Sequence, residues 1–286
     1  MTASAISWTD RNWITVAGCT DASTGCLNCY ARQTTLRIAG AAKGSDGLPD
    51  LSAGTVVNTG DGLEWTGKVN VTNNPRLIEA PTKWRDPAMV FVNSRGDTFH
   101  PKVPTGHIRL LFEVMARCPQ HSFQVLTKRP ERMRQMSNRY PWFGQRHAID
   151  NKGRGYTRVL PNLWAGTSIE SDEWTHRADA VRGTLAGIRW ISAEPLLGPL
   201  PSLDLTGIDW LVVGGESKSG ARPMDLGWAR ELRDRCAESG TAFYFKQTGT
   251  VVAKRLGLKE AKGEDITDPN FPQDLAIREY PEQVAA

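Results

Sequence analysis

The sequence predicts an α/β protein built as a complete or partial (β/α) TIM-like barrel of mostly parallel strands. Three observations carry that expectation. Short apolar or β-branched runs recur along the chain, helix-like stretches separate them, and most runs end at once in charged or hydrogen-bonding residues. Near-continuous apolar runs are the mark of parallel strands covered on both faces. Strand and helix in alternation mean βαβ units, whose crossovers are right-handed.

Taken in order, strands are expected at 13–16, 68–71, 89–93, 123–127, 163–169, 189–193, 210–213 and 242–245. Helices are expected at 107–117, 131–136, 174–185 and 228–239. The last has a plausible N-cap in Asp225 and a stop in Gly240, where a left-handed residue costs glycine nothing. Residues 1–255 read as one barrel domain. An insertion near 39–64, rich in Gly, Ala, Ser and Asp, separates the first helix from the second strand. Residues 256–286 read as an irregular C-terminal extension containing Pro269, Pro272 and Pro281.

Hydrophobic content of 40% over 286 residues is ordinary for a globular domain. No run approaches the ~18 apolar residues of a membrane span, and the N-terminus lacks a basic and apolar leader. A membrane partner is therefore not expected, and five cysteines, mostly clustered, argue for a reducing cytoplasm rather than a disulfide scaffold.

Three of those cysteines, Cys19, Cys26 and Cys29, fall just after the first predicted strand. Cys-x-x-Cys alone fits zinc, iron–sulfur or redox chemistry. A closed zinc site needs four ligands, and no second pair is visible, although a lone residue such as His100 could complete one. A [4Fe-4S] cluster on three cysteines keeps one iron open to a ligand. Cys118 and Cys236 read as core residues.

Polar residues at strand ends would line the barrel mouth, where catalytic groups of such folds gather. They include Asn93 and Ser94, Ser168, Glu194, Gly214-Gly215-Glu216 and Lys246. Glu194 stands out as a carboxylate in an apolar setting, costly unless paired or functional. Glu194 and Lys246 are the candidate catalytic residues. Between 128 and 158 nine basic residues face two acidic ones, with Tyr140, Trp142, Phe143 and Tyr156 among them. Such a stretch is a solvated helix and loop, or a surface that neutralises phosphates and stacks bases. Lys128, Arg129 and Arg132 are its candidate nucleic-acid contacts.

Several segments carry a family resemblance. They are Ile6-Ser7-Trp8-Thr9-Asp10, Gly18-Cys19, Gly25-Cys26-Leu27-Asn28-Cys29-Tyr30, Phe91-Val92-Asn93-Ser94 with Asp97, and the run from Phe123 to Met133. Ile191 to Pro199, Gly214 to Ser217, Ala221-Arg222-Pro223-Met224 and Phe245-Lys246-Gln247 complete the set. With these the chain resembles the phage Gp37/Gp68-like three-cysteine-motif family, and beyond it the radical S-adenosylmethionine enzymes.

The resemblance implies a [4Fe-4S] cluster on Cys19, Cys26 and Cys29, with S-adenosylmethionine on the open iron. An electron donor protein such as flavodoxin or ferredoxin is implied, as is a phage-infected or bacterial host cell. Asn93, Ser94, Ser168, Glu194, Gly214, Gly215 and Glu216 become candidates for the cofactor, and the implied substrate is a nucleic acid or nucleotide undergoing base modification or repair. The alternative is a non-catalytic zinc- or iron–sulfur-stabilised module that binds nucleic acid or protein. The loop reads C-x6-C-x2-C, three residues longer at its first gap than the commonest radical-enzyme spacing. Gly214-Gly215-Glu216 also follows a later strand than the superfamily's own Gly-Gly-Glu segment.

Overall fold

The computed structural model describes residues 6–40, 50–60, 62–139 and 159–282. Its main sheet has seven strands: β1 Arg11–Trp13, β2 Met89–Val92, β3 Ser122–Thr127, β4 Leu160–Ser168, β5 Ala186–Ala193, β6 Trp210–Gly214 and β7 Ala242–Gln247. They lie in chain order, every neighbouring pair parallel. Among the described strands β1 and β7 do not pair with each other, so the sheet is a curled half-barrel rather than a closed one. Apart from the single turn Pro75–Ile78, the described helices are α1 Tyr30–Gly40, α2 Thr105–Ala116, α3 Pro130–Arg139, α4 Arg177–Arg182, α5 Leu226–Ser239 and α6 Thr250–Leu256. None is long and apolar enough to cross a membrane among the described residues.

Side chains alternate across a strand, and here the alternation separates two cores. One set, including Val90, Val92, Phe123, Val125, Leu211, Val213 and Phe245, packs with Ile108, Leu111, Phe112 and Met115 of α2 and with the other helices. The opposite set, Phe91, Trp164, Ile188, Trp190, Trp210, Val212 and Tyr244, fills the concave side around Trp8. Trp8 meets Phe91 at 4.8 Å and Trp190 at 5.3 Å between ring centres, both edge-on. Such pairs add about 0.5–1.5 kcal/mol each beyond area burial. The Trp190 indole donates to Trp164 O at 3.1 Å and Gln124 donates to Trp8 O at 3.0 Å, tying the aromatic plug to the strands around it. Two residues further along the same strand face, aromatic gives way to polar: Trp190 to Ser192, Tyr244 to Lys246. The barrel thus has an apolar floor beneath a polar mouth.

Two expected strands resolve differently. Residues 13–16 do not form one strand: β1 stops at Trp13, and Val16–Ala17 pairs antiparallel with Asn70–Val71 in a separate ribbon. The break has a cause. The Asn93 side-chain oxygen accepts from the N–H groups of Thr15 and Val16 at 2.7 and 2.9 Å, capturing donors a longer β1 would have offered to β2. The expected strand at 68–71 therefore lies outside the main sheet. The 39–64 insertion carries an antiparallel hairpin, Val56–Asn58 with Leu63–Trp65. The helix expected at 174–185 is split into a 3-10 turn, Asp172–Trp174, and the short α4. Asp225 and Gly240 do cap α5: the carboxylate accepts from Gly227 N–H at 2.7 Å and Gly240 sits at φ 73°.

The C-terminal extension closes the exposed edge of β7. Phe245 N–H donates to Ile277 O at 2.8 Å and Glu279 N–H to Phe243 O at 2.9 Å, while Tyr280 stacks on Trp210 at 5.4 Å. An uncovered edge strand is a template for aggregation. Truncation after Ala276 is therefore expected to lower the melting temperature and drive self-association, read by thermal unfolding and size-exclusion chromatography. A monomeric truncation with unchanged melting would contradict that role.

Candidate functional site

The three cysteines line one cavity of about 180 Å³ at the C-terminal ends of the strands. Its floor is Ile6, Trp8, Phe91 and Leu126, and its wall includes Ser94, Ser168, Ser192, Glu194, Gly215, Glu216 and Lys246. A water's share of liquid volume is about 30 Å³, so the space admits an organic ligand. Burial pushes the Cys19 thiol up to about 12, with Asp97 adding to the rise and Arg129 opposing it. Burial raises the Cys29 thiol as well. Thiols in that state become thiolates only when a cation arrives to offset the desolvation.

Three cysteine thiols are soft donors, the type that zinc and iron–sulfur clusters both take. Among the described residues no three His, Cys, Asp or Glu side chains converge closely enough to hold one metal ion. A structural zinc requires four ligands around a single point. Three cysteines serving a cubane each take a different iron. His100 is not available as a fourth ligand: its Nδ1 accepts from Lys102 N–H at 3.1 Å and its Nε2 meets the Thr20 hydroxyl at 2.9 Å.

What fixes the loop is an anchor on each residue between Cys19 and Cys26. Thr20 O and its hydroxyl accept from Arg129 at 3.0 and 2.9 Å. Asp21 pairs with Arg32, which also donates to Leu27 O at 3.1 Å. Ala22 O accepts from Arg177 at 3.3 Å, the Ser23 hydroxyl from Lys128 at 2.9 Å, and Thr24 O from Arg222 at 3.2 Å. Gly25 N–H donates to Glu170 at 3.1 Å. A Cβ on Gly25 would stand 2.8 Å from the Lys128 ammonium and 2.9 Å from that carboxylate, so only glycine fits between them. The long first gap is thus an anchoring segment.

Behind the anchors, buried carboxylates orient the cations. Glu170, wholly buried, accepts from Lys128 at 3.2 Å and Arg177 at 3.3 Å. Asp97 accepts from Arg129 at 2.7 Å and from the Thr127 hydroxyl at 2.7 Å. Glu216 accepts from Asn28 at 3.0 Å and from Arg222 at 2.5 and 2.9 Å. Burial works to raise the Glu216 pKa, but the bonds from Arg222 and Asn28 outweigh it and hold the group below the usual carboxylate range.

The other sequence-expected residues separate into two groups. Glu194 and Lys246 meet across the cavity wall at 2.6 Å, both partly open to it. Ser94 and Ser168 also reach the cavity. Asn93, by contrast, is 1% exposed and engaged at both ends of its amide, donating to the Thr98 hydroxyl at 2.9 Å. It staples β1 to β2 and does not line the cavity. Gly215 lies where a Cβ would come within 2.3 Å of Thr248 O, so this glycine lets the segments after β6 and β7 approach closely. Lys128, Arg129 and Arg132 turn inward; Arg132 donates to His100 O and to Val103 O, the latter at 2.7 Å. The aromatics of the expected basic stretch, at 140–156, lie outside the described residues. Arg177 and Ser192 were not singled out from sequence, whereas Glu170 and Asp97 stand in segments the sequence marks as polar strand ends but were given no role. Glu170 had a signal, two residues beyond Ser168 on the same face; Arg177, an arginine in a short helix, had none.

An open barrel of parallel strands, with a three-cysteine loop anchored at its mouth, defines a β/α-barrel protein with a candidate soft-metal centre. Residues 3–272 match the family described as "Protein of unknown function (DUF5131)", and the chain belongs to it. No protein of curated function matches the sequence. Among solved structures, similarity is found to "Spore photoproduct lyase complexed with dinucleoside spore photoproduct", at TM-score 0.44 and 13% identity, covering 83% of this chain. The chain spans 64% of the length of that structure.

Proposed function

We propose that Cys19, Cys26 and Cys29 hold a [4Fe-4S] cluster whose open iron faces the cavity, and that the protein is a radical S-adenosylmethionine enzyme. The observation that carries this reading is the placement of all three cysteines on the wall of one cavity, in a loop positioned by its own anchors. With cluster and cofactor bound, the site would supply one-electron radical chemistry able to remove a hydrogen atom from a substrate, its electron drawn from a flavodoxin- or ferredoxin-like donor.

The chain's own residues bind, orient and exclude water. Glu194 and Lys246 offer a carboxylate and an ammonium side by side, complementary to the amino and carboxylate groups of the cofactor's methionine moiety. The hydroxyls of Ser94 and Ser168 suit its ribose. Trp8, Phe91 and Leu126 keep the floor dry, which protects a radical from quenching by solvent. The substrate class that goes with the family resemblance is a nucleic acid or nucleotide, modified or repaired at a base. A base in duplex DNA would have to be flipped out to reach the cavity.

Metal analysis after purification without oxygen separates this reading from a metal-stabilised binding module. About four irons per chain and 5′-deoxyadenosine on reduction with S-adenosylmethionine are expected. One zinc per chain, with no cleavage product, would instead support the binding module.

A further inference from the structure

The geometry points to Arg129 as a positioning residue that sets the reduction potential of the metal centre through the Cys19 sulfur. This rests on the cluster reading above and adds a role that the sequence did not suggest. Arg129 lies two residues after the end of β3, and its guanidinium is held on both prongs. Nη1 donates to Asp97 Oδ2 at 2.7 Å and reaches Cys19 Sγ at 3.7 Å. Nη2 donates to Thr20 O at 3.0 Å and to the Thr20 hydroxyl at 2.9 Å. The planar fork therefore grips the backbone just after the ligand while pointing a charged N–H at the ligand's sulfur. Lysine, with a single ammonium, cannot make these contacts together.

Asp97 is itself fixed. It is 5% exposed, and its other oxygen accepts from the Thr127 hydroxyl at 2.7 Å and Phe99 N–H at 2.8 Å. The arrangement is a carboxylate, a donor and a metal ligand in line, the form in which outer groups orient and tune ligands. Cys19 differs from Cys26 here, whose sulfur accepts from the uncharged Ala22 N–H at 3.5 Å.

The direction of the effect follows from charge. Reduction adds an electron to the centre, and an N–H donor carrying positive charge stabilises the more negative state. Hydrogen bonds to the sulfurs and local charge are among the groups that set iron–sulfur potentials. Arg129 accordingly raises the potential, making the centre easier to reduce, and it does so at the cysteine nearest the start of the loop.

The test is a spectroscopic redox titration of iron-loaded protein, with iron content and melting temperature measured alongside. R129Q is expected to shift the midpoint to more negative potential, and R129K to shift it the same way by less. R132K serves as the control, since it keeps the charge while losing the forked contacts to carbonyls of the 100–103 turn and touches no cysteine; it is expected to lower melting without moving the midpoint. If R129Q does not retain iron, R129K carries the measurement. Iron-loaded wild type and iron-loaded Arg129 variants with the same midpoint overturn the role of Arg129 alone. A wild type that takes up no iron overturns both this role and the cluster reading.

Discussion

Replacing Glu170 by Ala is expected to lower stability by about 3–5 kcal/mol, the cost of leaving buried charges without their counter-ion. Glu170 is wholly inaccessible and sits between Lys128 and Arg177, with Gly25 N–H on the same oxygen as Lys128. Without it two cations face each other across a dry gap, and Gly25 loses the acceptor that seats it. The loop should then loosen as well as the domain weaken. Urea unfolding reads the first effect and proteolysis within 20–29 the second. E170Q keeps the shape and an acceptor for Gly25, and should fall between wild type and Ala. Stability of E170A within about 0.5 kcal/mol of wild type, the range of an ordinary surface change, would show that the network is not what holds the loop.

Substituting Cys26 or Cys29 by Ala should have the opposite profile. Each residue between Cys19 and Cys26 is held by a side chain from elsewhere in the barrel, so the loop does not depend on sulfur for its course. Metal-free C26A and C29A are expected to melt close to metal-free wild type while losing at least tenfold in bound iron. A large loss of stability in the metal-free variants would mean the sulfurs are core groups first. Comparing these variants with E170A separates the ligands from the frame that presents them.

The distinction between ligands and frame also marks what could be read from the sequence. Local signals were sufficient for 210–213, where an uninterrupted apolar run reports burial on both faces, and for 123–127, where the run is broken only by Gln124 before it ends at Thr127. They were sufficient for α5, whose caps lie within the helix's own neighbourhood. They failed at 13–16, because the group that ends β1 is the amide of Asn93, about 80 residues further along. They failed again at 68–71, where alternation announces a strand but not the sheet it joins.

The same limit governs the site. Three cysteines in eleven residues were visible at once, and the period of two along each strand brought Ser168, Glu194 and Lys246 to the mouth. The direction of Lys128, Arg129 and Arg132 was not visible. A run of basic residues reports charge, whereas the acceptors that turn two of them inward, Ser23 and Thr20, lie 105 and 109 positions earlier. The six-residue gap, a departure from the common spacing when read as a motif, becomes intelligible once the side chains that anchor it are seen.

The proposed cluster leaves one of its irons open to the cavity. Electron paramagnetic resonance of the reduced, reconstituted protein, recorded before and after adding S-adenosylmethionine, tests it most directly. A changed signal on cofactor addition is the predicted result, because the cofactor's amino and carboxylate groups would bind the open iron. A cluster signal that S-adenosylmethionine leaves unaltered would contradict the account.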